Sequence, residues 1–248
     1  MNTSFLASNH SKTFTDLIIG ESTRMGGVSP APYNSLNLGL YSEDSSANVQ
    51  ENRYRFFKEV GIDPNRVAGA MQIHLDRIAV VKHPGQYRGV DALITDRPNI
   101  FLTVTVADCC PVLVYDTRTG ACGAAHAGWR GTVARITAKM IEAMTDHYGT
   151  KAHECVAFIG TSISAQAFEV DADVAALFDD SLQTWDEQRG KFLVDVKKAN
   201  LQQLTDYGLL AQNIETSPYC TSEHNQFFFS HRKEKGQTGR SLAIIGHR

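Results

Sequence analysis

Apolar positions along this chain gather into short runs, some alternating with polar residues and some nearly continuous. Such runs predict β-strands at Leu17–Gly20, Val67–Ile73, Ile78–Lys82, Ala92–Thr95 and Phe101–Ala107. Further strands are expected at Val112–Tyr115, Cys122–Ala125, Cys155–Ile159, Phe227–Ser230 and Leu242–Ile245. Three segments carry helical spacing instead. The first runs from about Ala47 to Val60, with Ser45 and Ser46 available as caps and Gly61 as the stop. The second starts after Gly131, sets Val133, Ile136, Met140, Ile141 and Met144 on one face, and ends before Gly149. The third begins at Asp195 and turns Val196, Ala199, Leu204 and Tyr207 inward before Gly208. Strands outnumber helices and are not strictly interleaved with them. That pattern predicts a mixed α+β fold in a single domain, residues 1–248, rather than a doubly wound sheet.

Composition narrows the class. The 248 residues are 42% hydrophobic and 21% charged, with a formal net charge of −3. A chain of this size buries about 70% of its unfolded surface and needs no metal or disulfide to hold its core. A mildly acidic chain without basic runs argues against nucleic-acid binding. The start, MNTSFLASNHSKTF, lacks the charged-then-apolar pattern of a secretory signal. The most apolar window, Phe101 to Tyr115, is too short to span a membrane and contains Asp108. Five cysteines, odd in number and with Cys109 and Cys110 adjacent, fit reduced thiols. A cytoplasmic protein is expected.

Standard motifs are absent: no G-x-G-x-x-G, Walker A, HExxH, paired C-x-x-C or zinc-deaminase signature. Gly160-Thr161-Ser162-Ile163-Ser164, after a strand, approaches a nucleophile elbow but ends in Ser, and Asp195 follows in the matching order. A glycine turn with two hydroxyls is the simpler account of it. Three other segments carry more chemistry. Phe101–Ala107 runs into Asp108-Cys109-Cys110-Pro111, where Pro111 is expected to turn the chain. Ala125-His126-Ala127-Gly128 joins a strand to a helix whose N-terminus offers free amides to an anion. Gln72-Ile73-His74 closes another strand-like run.

His74, Cys109 and His126 are thus placed at strand termini. Two imidazoles and a thiolate suit zinc or copper with an open coordination position. Gaps of 35 and 17 residues match no local signature, so a packed cysteine and hydrogen-bonded histidines remain the alternative. Only one of the adjacent cysteines should face the cleft. Arg53 interrupts the apolar stripe Val49, Phe56, Phe57 and Val60. A guanidinium there calls for an anionic ligand or an internal carboxylate, or else snorkels to water.

Taken together these segments resemble the YfiH-like family, also called laccase-domain or polyphenol-oxidoreductase-like proteins. The similarity runs through Ser22-Thr23-Arg24-Met25-Gly26-Gly27, Tyr33-Asn34-Ser35-Leu36-Asn37-Leu38-Gly39, Asn52-Arg53 and Gln72-Ile73-His74. It continues through Val90-Asp91-Ala92, Ala107-Asp108-Cys109, His126-Ala127-Gly128-Trp129-Arg130-Gly131, Cys220-Thr221 and Ser230-His231-Arg232 to Thr238-Gly239-Arg240. The resemblance implies a four-layer α/β/β/α sandwich and a catalytic zinc held by His74, Cys109 and His126. It implies phosphorolysis of adenosine, inosine and methylthioadenosine to free base and pentose 1-phosphate, and deamination of adenosine. Arg53 is then a catalytic and substrate- or phosphate-binding candidate, and Arg24, Gly128 and Arg130 are substrate-binding candidates.

Asp108 is the nearest carboxylate to shuttle protons, and Cys109 is a ligand or a nucleophile. Other roles attached to the family are copper-dependent phenol oxidation and peptidoglycan editing; a non-catalytic zinc-binding protein is a further alternative. Oxidation by several copper ions would need a second cluster, for which Cys220, His224 and His231 are the candidates. The chain departs from the family pattern at Thr161, Leu75, His231 and Lys233. Nucleoside and phosphate are the expected partners, and the motifs carry nothing on oligomeric state.

Overall fold

The computed structural model describes residues 3–248. The chain opens with β1 (Phe5–Ala7), α1 (His10–Thr13), β2 (Leu17–Ser22) and α2 (Ser46–Glu59). Then come β3 (Val67–Met71), β4 (Ile78–Val80), β5 (Gly85–Arg88), β6 (Ala92–Thr95), β7 (Phe101–Val106), β8 (Cys110–Asp116) and β9 (Cys122–Ala127). Helices α3 (Trp129–Val133) and α4 (Ile136–Tyr148) lead to β10 (Cys155–Ile159), β11 (Glu169–Val170) and α5 (Ala172–Ala175). The last elements are β12 (Gln183–Asp186), β13 (Lys191–Val194), α6 (Val196–Asp206), β14 (Ile214–Thr216) and β15 (Ser241–His247).

Two six-stranded sheets result, ordered β1-β2-β15-β7-β3-β5 and β14-β10-β8-β9-β6-β4, with a small third sheet, β11-β13-β12. Both large sheets combine antiparallel and parallel pairs. Their strands carry apolar residues on both faces because both faces are covered. Between the sheets, Ile19, Leu102, Val104 and Ile245 meet Leu93, Leu113, Ala124 and Phe158. On the outer face of the first sheet, Ile18, Phe101, Leu242 and Ile244 pack against Phe56 and Phe57 of α2. On the outer face of the second, Ile94, Val112, Val114 and Ala157 pack against α4 and α6. Each fully buried side chain of this kind contributes about 1.5–3 kcal/mol. At Gly123 a Cβ would lie 2.8 Å from the sulfur of Met144, so glycine is what lets α4 lie this close to β9.

The mixed α+β architecture follows the sequence pattern, with local departures. The strand expected at Phe227–Ser230 is irregular loop that follows a turn ending at Phe227. Its aromatics are buried to serve loops: Phe229 lies under the Arg24 guanidinium and Phe228 against Tyr219. Pro111 does not turn the chain but sits in β8 opposite His126, and the turn is made by Asp108 at φ +86°. The second helix is broken: α3 stops at Val133, Arg135 takes φ +62°, and α4 begins at Ile136. Ser45 precedes α2 without a side-chain capping bond, whereas Asp195 caps α6 by accepting from the Lys198 amide.

One carboxylate lies on the apolar inner face of β2. Glu21 is buried and accepts from the amide and hydroxyl of Thr161, in the loop after β10, so it ties the two sheets together. Burial raises its pKa to about 6, although the Thr161 bonds and the nearby Lys197 charge oppose the shift. Because the folded value lies above the ordinary 4.5, the associated stability is fully present below pH 4.5 and lost as pH rises through about 6. Relative to Glu21→Gln, the native chain should lose about 2 kcal/mol across that window, measured by denaturant melts. A stability difference that stays flat from pH 4 to pH 7 contradicts this account.

Candidate metal centre and its cavity

Beyond β3 the backbone leaves the sheet, and Gln72 replaces its missing ladder bonds. The Gln72 amide donates to the Thr105 carbonyl at 2.7 Å and accepts from the Thr105 N–H at 2.8 Å. The chain then bends through His74, at φ +61°, which is exposed. Three successive amides, Ile73, His74 and Leu75, point at one carboxylate, Asp91, at 3.2, 2.9 and 2.9 Å. Asp91 is fully buried and also accepts from Nδ1 of His126 at 2.9 Å. Its own carbonyl accepts from the His126 amide at 2.7 Å. Burial opposes ionisation of Asp91, but the His126 ring and these amides hold its pKa below the usual carboxylate value. A single acid therefore fixes the bend that carries His74 and the tautomer of His126.

Cys109 reaches the same place from the turn between β7 and β8. Its neighbour Cys110 points into the core, where burial pushes its pKa up to about 12. Burial works against ionisation of Cys109 too. The charge and hydrogen bonds of His126 and His74 outweigh it and bring the thiol down to about 6. Burial likewise opposes protonation of His126, but Cys109 and Asp91 raise it to about 9. The ligand atoms of His74, Cys109 and His126 all lie within 4.8 Å of one another. With Nδ1 of His126 held by Asp91, Nε2 is the nitrogen left to bind. One thiolate and two imidazoles at this spacing fit a single borderline-soft divalent ion. Gly128 leaves the room: a Cβ there would lie 3.2 Å from the Cys109 sulfur and 3.6 Å from the His74 ring.

These groups line one end of a cavity of about 480 Å³. Asp108 and Arg53 line it as well. Both carboxylate oxygens of Asp108 are occupied, by the Thr221 hydroxyl and the Arg232 amide, each at 2.6 Å. Arg53 donates to the Leu38 carbonyl at 2.9 Å and lies over Phe57. No carboxylate pairs with it among the described residues, and burial brings its pKa down to about 10. The internal ion pair allowed by the sequence is therefore not made.

Other candidates sit elsewhere. Arg24 points away from the cavity into an ion pair with Glu234 at 3.0 Å and bonds to the Asn34 and Asn225 carbonyls. Arg130 is exposed and stacks on Trp129, whose ring does line the cavity. Cys220 accepts from the Ser164 amide, and His224 turns to the Cys220 carbonyl, while His231 stands at the cavity. Among the described residues, His74, Cys109 and His126 form the one His/Cys/Asp/Glu group arranged to hold an ion. The buried Ser162 hydroxyl has no hydrogen-bond partner among the described residues, its backbone forms an isolated bridge with Cys220, and Asp195 is a helix cap, so the segment is extended loop, neither a nucleophile elbow nor a glycine turn. Sequence reasoning missed the roles of Asp91 and Gln72. The available signal was a lone acid at the start of the apolar strand Ala92–Thr95.

No helix among the described residues is long and apolar enough to cross a membrane. A family model described as multi-copper polyphenol oxidoreductase laccase matches residues 18–248. The chain is 33% identical to the purine nucleoside phosphorylase YlmD of Staphylococcus aureus, over 99% of each chain. It is also 33% identical to the purine nucleoside phosphorylase YlmD of Bacillus subtilis, over 93% of this chain and 88% of the relative. Among solved structures, YlmD from Geobacillus stearothermophilus superposes with a TM-score of 0.93 at 31% identity, covering 100% of this chain and 97% of that one. The Bacillus licheniformis hypothetical protein YfiH gives 0.92 at 32% identity, covering 99% and 97%.

Two expected outcomes follow from the geometry. Purified protein should carry one divalent ion per chain, lost in Cys109→Ala and His126→Ala; elemental analysis showing stoichiometric metal in both variants would sink the assignment. Asp91→Asn keeps all three ligands but loses the charge that orients them. It should weaken metal affinity about 10- to 100-fold in a chelator competition, and unchanged affinity would make Asp91 a purely structural acid.

Proposed function

This chain belongs to the YfiH-like family, the group whose model is described as multi-copper polyphenol oxidoreductase laccase, and within it we propose a zinc-dependent purine nucleoside phosphorylase. One observation carries the reading: a single cavity is lined both by the His-Cys-His donor set and by a half-buried arginine, Arg53, that has no carboxylate partner among the described residues. Near-full-length relatives named purine nucleoside phosphorylase support it. His74, Cys109 and His126 would hold the zinc, which when bound supplies a redox-inert Lewis acid. The chain's own groups bind and orient. Arg53 holds phosphate so that one of its oxygens attacks C1′ of the pentose. The glycosidic C–N bond breaks, its electron pair leaves with the purine, and a proton completes the free base beside pentose 1-phosphate. Trp129 offers a flat wall for the base. Adenosine, inosine and methylthioadenosine are the proposed substrates.

Deamination of adenosine to inosine in the same cavity needs a group that carries a proton from water to the departing ammonia. Asp108, which lines the cavity, is the carboxylate we assign to it, and its bonds to the Thr221 hydroxyl and the Arg232 amide would hold it in position. Cys109 is read as a ligand, because both histidines converge on its sulfur. The protein acts on small molecules in the cytoplasm, without nucleic acid or membrane. Phenol oxidation is the second reading, favoured by the description of the family and by the affinity of Cys/His sites for copper. One ligand cluster provides for one ion, which favours the nucleoside reading over multi-copper chemistry.

Protein purified without added metal should convert adenosine and phosphate to adenine, or adenosine to inosine, and Cys109→Ala should abolish both. A phenol under oxygen should stay unoxidised until copper is supplied. Rapid phenol turnover by the same sample, with adenosine untouched, reverses the ranking. Arg53→Ala should raise the KM for phosphate about 10- to 100-fold and leave the nucleoside KM nearly unchanged. Thermal melting should show a small loss of stability, since no ion pair is broken. A large destabilisation with unchanged phosphate KM makes Arg53 structural.

A further inference from the structure

Arg240 is a second guanidinium without a carboxylate partner in the same cavity. It directly precedes β15, and its backbone is fixed on both sides by one segment: its amide donates to Asn37 Oδ1 at 2.9 Å and its carbonyl accepts from the Leu38 amide at 3.0 Å. Its stem crosses Gly39 so closely that a Cβ there would lie 2.8 Å from its Cγ. Nη1 donates to the carbonyls of Thr238 and Gly239 at 2.8 and 2.9 Å. That leaves Nε and Nη2 without a protein acceptor among the described residues, on a side chain that lines the cavity.

Leu38 links this arginine to Arg53. Its amide holds the backbone of Arg240, and its carbonyl holds the guanidinium of Arg53 at 2.9 Å. Two like charges thus line one cavity and are partly taken out of water, which is costly without a counter-charge. Burial depresses both pKa values, and for Arg240 the charges of Cys109 and Asp108 partly oppose this. The contrast with Arg24 is instructive. That buried arginine, outside the cavity, has its carboxylate, Glu234, at 3.0 Å. Of the three arginines that line the cavity, Arg232 has Glu169 at 3.8 Å, while Arg53 and Arg240 have no carboxylate partner among the described residues.

We propose that Arg53 and Arg240 form a two-armed clamp for a doubly charged tetrahedral oxyanion, with Arg240 supplying the second arm. Guanidinium forks match such an ion through paired N–H donors. The inference rests on the phosphorylase reading for the identity of the ion as inorganic phosphate, and the test separates the two.

The wild-type protein is modified with an arginine reagent, phenylglyoxal, with and without inorganic phosphate, and each arginine is followed by peptide mass spectrometry. Phosphate should protect Arg53 and Arg240 together, and sulfate should do the same where nitrate does not. In parallel, phosphate should raise the Tm of the wild type. That shift should vanish in Arg240→Met and survive in part in Arg240→Lys. The KM for phosphate of Arg240→Met should rise about 10- to 100-fold, with the nucleoside KM much less affected. Equal labelling of Arg240 with and without phosphate overturns the clamp even if the methionine variant does not fold. So does an unchanged phosphate KM in a folded Arg240→Met, and in that case the phosphorylase reading stands. Protection of both arginines in a protein that cleaves no nucleoside supports the clamp and removes the phosphorylase reading instead.

Discussion

Asp91 is the contact through which the rest of the site is held. Its carboxylate collects three consecutive amides from the bend after β3, in the first large sheet, and the ring N–H of His126 in β9, in the second. A buried carboxylate is tolerable only when its lone pairs are so filled. The dependence runs both ways. Without the acid, three buried-side amides and an imidazole lose their acceptor at once, and the bend has no other reason to adopt φ +61° at a histidine.

The same economy governs the adjacent cysteines. Cys109 and Cys110 share a sequence position to within one residue and share nothing else. Cys110, the first residue of β8, points into an apolar core that raises its pKa, while Cys109, in the turn before it, lies between two imidazoles that lower its own. Chemistry here is assigned by surroundings and not by residue type.

Legibility in the sequence divides along the same line. The central strands were readable because both their faces are apolar, so each announces itself as a run. Short or polar edge strands such as β1, β5 and β14 carry no such signal, and the strand expected at Phe227–Ser230 reflects aromatic residues recruited to pack loops. His74, Cys109 and His126 could be nominated from their positions near strand ends, and Arg53 from its place in an apolar stripe. Asp91 could not be assigned its role, because its partners lie in a separate bend and in another strand. Arg240 was hidden in a glycine-flanked segment whose approach to Leu38 exists only in three dimensions. Local pattern reveals burial; it does not reveal what two distant segments do to each other.

The ligand set draws on a bend after β3, a turn between the two large sheets and a strand of the second sheet. Cys109 and His126 meet at the open end of the β8–β9 hairpin, where Pro111 lies opposite His126, but His74 comes from the bend after a strand of the other sheet. An ion would therefore find only two of the three donors until the sheets have closed on each other, and the complete donor set follows folding in time. Sites of this kind obtain their selectivity partly from circumstance: thiolate and imidazole bind copper more tightly than zinc, so the occupant is decided by which ions are free where and when the chain finishes folding. Two samples of one sequence, matured in different surroundings, can then differ in the ion they hold.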